Sequence, residues 1–279
     1  MKRTAMRVLL SNDDGVHAAG IRALAEAFEG DEVWMVAPDR EQSAASHSIS
    51  LHRPLRITEV QPQIIAVDGT PSDAVFVGLC KILREARPDV VVSGINHGAN
   101  LGNDIHYSGT VAAAMEGALL GISSVAVSLA APPPHHFTDA ARFTAALVRE
   151  LFPRRARELL LLNVNVPAGP VRGYRFSPLG RRTYGNRVVE KTDPRGRKYY
   201  WIGEEGGPKN EDIPGSDCNT VLLDGLASIT PLSLPETNHR VLAALRGARV
   251  PGYLRVPPPT KAGPTPGRRR TRPRRAEAR

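Results

Sequence analysis

The chain is expected to fold as an α/β protein built on a mostly parallel, doubly wound sheet. Three observations carry that expectation. Short apolar runs alternate with amphipathic stretches from residue 7 to about residue 167. The runs are apolar at nearly every position rather than at alternate ones, as strands covered on both faces are. Two of them end in polar, glycine-bearing loops, the place where an open α/β sheet keeps its ligands.

Taken in order, residues 7–11 read as a buried strand. A helix follows with Ile21, Leu24, Ala25 and Phe28 on one face, and Gly30 stands where a left-handed cap ends it. Residues 32–37 form the next strand, stopped by Pro38, and 63–67 another. Thr70-Pro71-Ser72-Asp73 marks a helix start, with a capping hydroxyl, proline in the first turn and a carboxylate three residues after the cap. That helix presents Val75, Leu79, Ile82 and Leu83 and ends before Pro88. A strand at 89–93 leads into a Gly/Asn loop, a helix spans 109–120 up to Gly121, and a strand covers 122–129 before a proline-rich loop at 132–134. A helix near 138–151 precedes the run from Leu159 to Val164.

Beyond about 168 the helical period fades. Residues 170–230 are rich in turn formers and hold alternating stretches such as Lys198-Tyr199-Tyr200-Trp201-Ile202, the pattern of antiparallel hairpins. A last helix is expected near 238–246. The resulting organisation is an α/β catalytic core over 1–169, a hairpin and helix extension for subunit contacts over 170–256, and a disordered basic tail over 257–279.

Composition narrows the class. The net charge of +9 is misleading as a whole, because residues 257–279 hold Lys261 and seven arginines against Glu277 and so account for +7. The remainder is close to neutral, and the tail lacks the apolar residues to fold. Such a tail is either a solvated extension or a non-specific attractor of nucleic acid. Cys80 and Cys218 are the only cysteines, so a disulfide framework is not supported; Cys80, in an apolar helical stretch, reads as a buried thiol. No run approaches a membrane span or a signal sequence, and a cytoplasmic enzyme with no membrane partner is expected.

The chemistry gathers at two strand ends. The first strand closes on Asn12-Asp13-Asp14-Gly15, and two carboxylates at a strand-to-loop turn can reach one hard cation such as Mg²⁺ or Mn²⁺. The same tripeptide is also an ordinary turn. Asn96 and Ser43 supply neutral oxygens that would complete such a sphere. Glycines 94, 98 and 102, with Asn100, allow a backbone to approach a ligand closely. Ser108, Gly109 and Thr110 open a helix whose free N–H groups suit phosphate, although plain capping explains the same residues. His17, His47, His97 and His106 fall in these loops and invite a general-acid role, with His106 a candidate and Asp14 a candidate base. Neither the P-loop nor the dinucleotide fingerprint is present, which disfavours a nicotinamide cofactor. The combination points to a metal-dependent phosphoesterase.

Five motifs in order, Ser11-Asn12-Asp13-Asp14-Gly15, Ala37-Pro38-Asp39-Arg40, Gly69-Thr70-Pro71-Ser72-Asp73, Ser93-Gly94-Ile95-Asn96 and Tyr107-Ser108-Gly109-Thr110-Val111-Ala112-Ala113, resemble the SurE family of survival proteins. The resemblance is dense over 6–130, thinner through Asn163-Val164-Asn165, Tyr200-Trp201, Ser216-Asp217 and Ser228-Ile229-Thr230, and absent from the tail. It implies a Rossmann-like core with a hairpin extension, and hydrolysis of nucleoside 5′- and 3′-monophosphates. One divalent cation per subunit, Mg²⁺ or Mn²⁺, would be held by Asp13, Asp14, Ser43 and Asn96. It also implies catalytic roles for Asp13, Asp14 and Asn96, substrate contacts at Asn12, Gly98, Asn100, Ser108, Gly109 and Thr110, and a homodimer or homotetramer. Short polyphosphate or a phosphorylated metabolite is the alternative substrate, and nucleic-acid binding through the tail the alternative class. The chain departs from the family at Ala44, where a glycine commonly follows the metal-binding serine, and at Pro235-Glu236-Thr237.

Overall fold

The computed structural model describes residues 5–152, 159–185, 188–202 and 207–234. The expected helix near 238–246, the tail and the Pro235-Glu236-Thr237 departure lie outside them. Helices α1 (Ala19–Ala27), α2 (Pro71–Val77), α3 (Gly109–Leu119) and α4 (Thr138–Leu151) alternate with strands β1 (Arg7–Ser11), β2 (Glu32–Pro38), β3 (Ile57–Gln61), β4 (Ile64–Val67), β5 (Val90–His97), β6 (Ser124–Ala130) and β7 (Leu161–Pro167). Then come β8 (Tyr174–Phe176), β9 (Arg182–Thr183), β10 (Val188–Thr192), β11 (Lys198–Ile202), β12 (Lys209–Asn210), α5 (Asp217–Leu222) and β13 (Ala227–Pro231).

Nine strands form one sheet in the order β3-β4-β2-β1-β5-β6-β7-β13-β8. From β4 through β7 every pairing is parallel. Strand β1 lies between β2 and β5, so the chain winds one way from β1 and later returns to wind the other way from β5. That reversal opens a crevice outside the carboxyl ends of β1 and β5, the ligand position of an open α/β sheet.

Apolar side chains leave β1 toward both faces, which is why its sequence shows no alternation. Val8 and Leu10 pack with Ile21, Leu24 and Phe28 of the α1 layer and with Ala141 and Val148 of α4. Leu9 packs on the other face with Val36, Val75, Leu79 and Ala113. Helix α2 starts as its sequence dictates: Thr70 Oγ1 accepts the Asp73 N–H at 3.1 Å and Asp73 Oδ2 accepts the Thr70 N–H at 2.9 Å. The helix then loosens into a π turn over Gly78–Ile82, where Gly78 meets Leu9 so closely that a Cβ would sit 3.1 Å from its methyl group.

Several expectations need correction. Cys80 is exposed, because its turn directs Leu79 rather than Cys80 onto the sheet. Cys218 is the buried thiol, pushed up to about 12 by burial and by Asp217. Strand β3 is an addition to the expected elements: it pairs antiparallel with β4 at the sheet edge, and all five of its residues are exposed, Ile57 and Val60 included. The segment after 168 does hold two antiparallel ladders, β10–β11 and β9–β12. It also contains α5, and it sends β13 antiparallel to β7 and β8 parallel to β13, so part of it completes the core sheet. No helix among the described residues is long and apolar enough to cross a membrane.

Candidate active site

The turn after β1 is closed by its own asparagine. Asn12 is fully buried; its Nδ2 donates to the Gly15 carbonyl at 2.9 Å and its Oδ1 accepts the Gly15 N–H at 3.1 Å. Gly15 has φ +98°, and a Cβ there would meet the Arg40 backbone at 3.2 Å, so only glycine suits the position. The turn turns Asp13 toward the start of α3. The Thr110 hydroxyl donates to Asp13 Oδ1, and Gly109 lies so near that a Cβ on it would be 2.8 Å from the Asp13 Cβ. Burial pushes the Asp13 carboxyl up to about 6, with the neighbouring Asp14 charge adding to it and the Thr110 hydrogen bond opposing it.

Asp14 faces β5. Its Oδ1 lies 3.0 Å from His97 Nδ1, while its Oδ2 is buried without a hydrogen-bond partner among the described residues. Burial raises this carboxyl too, and His97 pulls it back. Asn96, one residue before His97, donates from Nδ2 to the Gly98 carbonyl at 2.8 Å. The two strand ends of the switch point therefore meet through Asp14 and His97, on residues 83 apart in the chain.

The glycine loop is held from behind. The Asn100 N–H donates to Asn165 Oδ1 at 2.8 Å, its Nδ2 donates to Ser128 Oγ at 2.8 Å, and its carbonyl accepts from Asn163 and Asn165. Gly102 donates its N–H to Asp217 Oδ2 at 2.9 Å, and Asp217 Oδ1 accepts from Gly180 at 2.6 Å and from Cys218 at 2.7 Å. Asp104 receives the Arg182 guanidinium and the Tyr184 hydroxyl. Burial and that carboxylate push the Tyr184 hydroxyl up to about 12. Sequence reasoning gave Asp104, Arg182 and Tyr184 no role and touched Asp217 only inside a motif. Little local to these residues marks them, since Arg182 and Tyr184 lie 78 and 80 positions from Asp104, and Asp217 lies 115 from Gly102.

Expected site residues divide accordingly. Asp13, Gly109 and Thr110 come together, and Asn96 stands next to His97, which meets Asp14. Ser43 is exposed and its Oγ donates to Glu41 at 2.6 Å, while the neighbouring Gln42 N–H donates to the Asp13 carbonyl at 2.8 Å. Asn12 is consumed by the turn, and Asn100 is occupied by the amide network. Ser108 serves as the α3 cap, accepting the Val111 N–H at 3.1 Å. Gly98 is open, with φ +102° and space beside it for a Cβ. The histidine on the carboxylates is His97 rather than His106, which is exposed at the end of a 3₁₀ turn, Gly102–His106. His47 pairs instead with Glu116 of α3 at 2.7 Å. Ala44 has φ +57°, the left-handed region where a side chain costs energy, which accounts for the glycine common there in the resembling family.

A divalent cation fits this donor set. Among the described residues no three His, Cys, Asp or Glu side chains converge as a metal cluster, so a cation here would rest on two carboxylates and neutral oxygens. Two adjacent buried carboxylates, one with an unpartnered buried oxygen, are costly without positive charge nearby. Hard oxygen donors of this kind suit Mg²⁺ or Mn²⁺.

Comparison with known proteins shows which family the chain resembles. The family model described as survival protein SurE matches residues 8–186. A protein of Anaeromyxobacter dehalogenans strain 2CP-1 named 5′-nucleotidase SurE is 72% identical over 254 residues, covering 91% of this chain and 100% of the relative. One of the same name from Myxococcus xanthus is 53% identical, covering 92% of this chain and 99% of the relative. The crystal structure of the SurE protein from Aquifex aeolicus superposes with a TM-score of 0.75 at 38% identity, covering 86% of this chain and 98% of that one. With all but the first residue of β1, the glycine loop and the helix behind them inside the matched segment, the chain belongs to the SurE family.

Proposed function

We infer that this chain is a 5′-nucleotidase, a phosphomonoesterase that hydrolyses nucleoside monophosphates to nucleoside and phosphate. The observation that carries the reading is the Asp13–Asp14 pair at the sheet's switch point, facing both the amino end of α3 and the end of β5. Phosphoryl transfer asks a protein chiefly to position groups and to place charge against the phosphoryl oxygens. Asp13, Asp14, Asn96 and Ser43 would hold a divalent cation. Such a cation would supply charge that polarises a phosphoryl oxygen. Thr110 fixes the Asp13 carboxylate, His97 fixes Asp14, and Asn12 fixes the turn that carries both. The amino end of α3 offers its dipole to the phosphoryl group, and Gly98 leaves room for the substrate to approach the loop.

The finer proposals are Mg²⁺ or Mn²⁺ at one site per subunit, action on 3′- as well as 5′-monophosphates, a cytoplasmic location and a homodimer or homotetramer. Subunit contacts through the extension are supported by Tyr200, Trp201 and Ile202, which are 59%, 61% and 92% exposed. Phosphate release from a panel of 5′- and 3′-nucleotides and short polyphosphate, with Mg²⁺, Mn²⁺ or EDTA, tests the reading. Release from nucleotides that EDTA abolishes supports it; release from polyphosphate alone overturns it.

A further inference from the structure

Phosphate chemistry leaves one feature of this face without a purpose. Beside the carboxylates lies a cleft of about 370 Å³ lined by His17, Arg22, Glu26, His135, His136 and Phe137. Its size is that of a small-molecule site. One wall is α1, pressed so closely on β5 that a Cβ on Gly20 would be 2.1 Å from the Ile95 carbonyl oxygen. The other is the segment joining β6 to α4. The His135 and Phe137 ring centroids lie 5.1 and 5.3 Å from that of His97, and His97 touches Asp14. The cleft thus begins one imidazole away from the carboxylate pair.

We propose that this cleft is the nucleobase subsite, taking a purine base whose phosphate lies at Asp13 and Asp14. This rests on the nucleotidase reading. In a nucleoside monophosphate the base stands one sugar away from the phosphorus, which matches a cleft separated from the carboxylates by a single ring. His135 and Phe137 line the cleft with tilted aromatic rings, 6.0 Å apart, on which a flat heterocycle stacks. Arg22 and Glu26 stand four positions apart on α1, one turn of the same face. Arg22 only donates and Glu26 only accepts. Together they match a heterocycle edge carrying acceptors beside donors. A simple anion would be opposed by Glu26, and an apolar group would strand both charges.

The test compares kcat/KM for GMP, AMP, CMP and ribose 5-phosphate in the full-length metal-loaded enzyme and in Arg22→Ala, Glu26→Gln, His135→Ala and His135→Phe. Arg22 and Glu26 are exposed on α1, so their variants are expected to fold. The expected result is a preference for purine nucleotides over ribose 5-phosphate of tenfold or more. Arg22→Ala and His135→Ala should cut that ratio about tenfold by raising KM for the nucleotides, with ribose 5-phosphate unaffected, and His135→Phe should retain it. An unchanged ratio in Arg22→Ala, Glu26→Gln and His135→Ala, or equal losses on both substrate types, overturns the subsite. Absence of nucleotide hydrolysis in the unaltered enzyme overturns the nucleotidase reading itself, and is seen before any variant is made.

Discussion

The carboxyl edge of the sheet and the β10–β11 hairpin are both rich in polar residues, yet they are held in opposite ways. At the edge, Asn12, Asp13, Asn100, Asp104 and Asp217 are buried, and most of their hydrogen bonds span dozens of residues. In the hairpin, the ladder runs from Val188–Ile202 to Thr192–Lys198, the side-chain ties are Lys198 to Glu190 at 2.8 Å and Arg197 to Asp193 at 2.9 Å, and all of β11 is exposed. The edge is therefore pre-organised by the whole fold, as a site for charge stabilisation must be. Those ties of the hairpin, among the described residues, lie within the hairpin itself. A two-stranded ribbon of that kind is marginal alone.

Substitutions should separate the two regions. The largest effect is expected at Asp13: Asp13→Asn, assayed for nucleotide hydrolysis at saturating metal, should lose more than about 10²-fold in kcat while circular dichroism stays unchanged, because a charged hard ligand becomes neutral. Near-normal turnover would remove Asp13 from the cation site. Gly109→Ala comes next. Its methyl group would press on Asp13, which must shift, and a displacement of that kind should lower kcat roughly 10- to 100-fold with little change in melting temperature.

Asp217→Asn probes the brace from the extension. It weakens charge-assisted bonds to Gly102, Gly180 and Cys218, and a loss of roughly 2–4 kcal/mol in urea unfolding is expected, together with a reduced kcat. Unaltered turnover in a destabilised variant would show that the glycine loop keeps its shape without this tie. Replacing Tyr200 and Trp201 by serine should do the converse. Light scattering should report a smaller assembly, whereas unfolding of the dissociated subunit should differ by less than about 1 kcal/mol, as exposed positions allow. An unchanged mass would assign the subunit contact elsewhere. The smallest effect belongs to Ala44→Gly, which relieves a left-handed alanine and should raise stability by about 1 kcal/mol or less; a loss instead would mean the loop needs the stiffness.

Where a residue's role depends on its neighbours in the chain, the sequence is a sufficient guide. The Thr70–Asp73 capping box, the left-handed Gly30, the continuous apolar strands and the α3 start at Ser108 all follow from periodicity and local hydrogen bonding, and all are observed. So does the pairing of Asp13 with Asp14 at a strand end. Local rules fail where the signal is weak or the partner is distant. Strand β3 and helix α5 are short, one exposed and the other only six residues long, so neither presents a period to read.

What tertiary structure alone decided is which groups meet across the crevice. The strand order set β1 beside β5, and that neighbourhood put His97 rather than His106 on Asp14. It tied Asn100 to Ser128 and Asn165 of the neighbouring strands. It also brought Asp217 back over more than a hundred residues to hold Gly102. The physical reason is one of range. Caps, turns and amphipathic faces are settled within a few residues, so composition and spacing carry them, whereas a buried carboxylate must find its donors wherever the completed sheet has brought them.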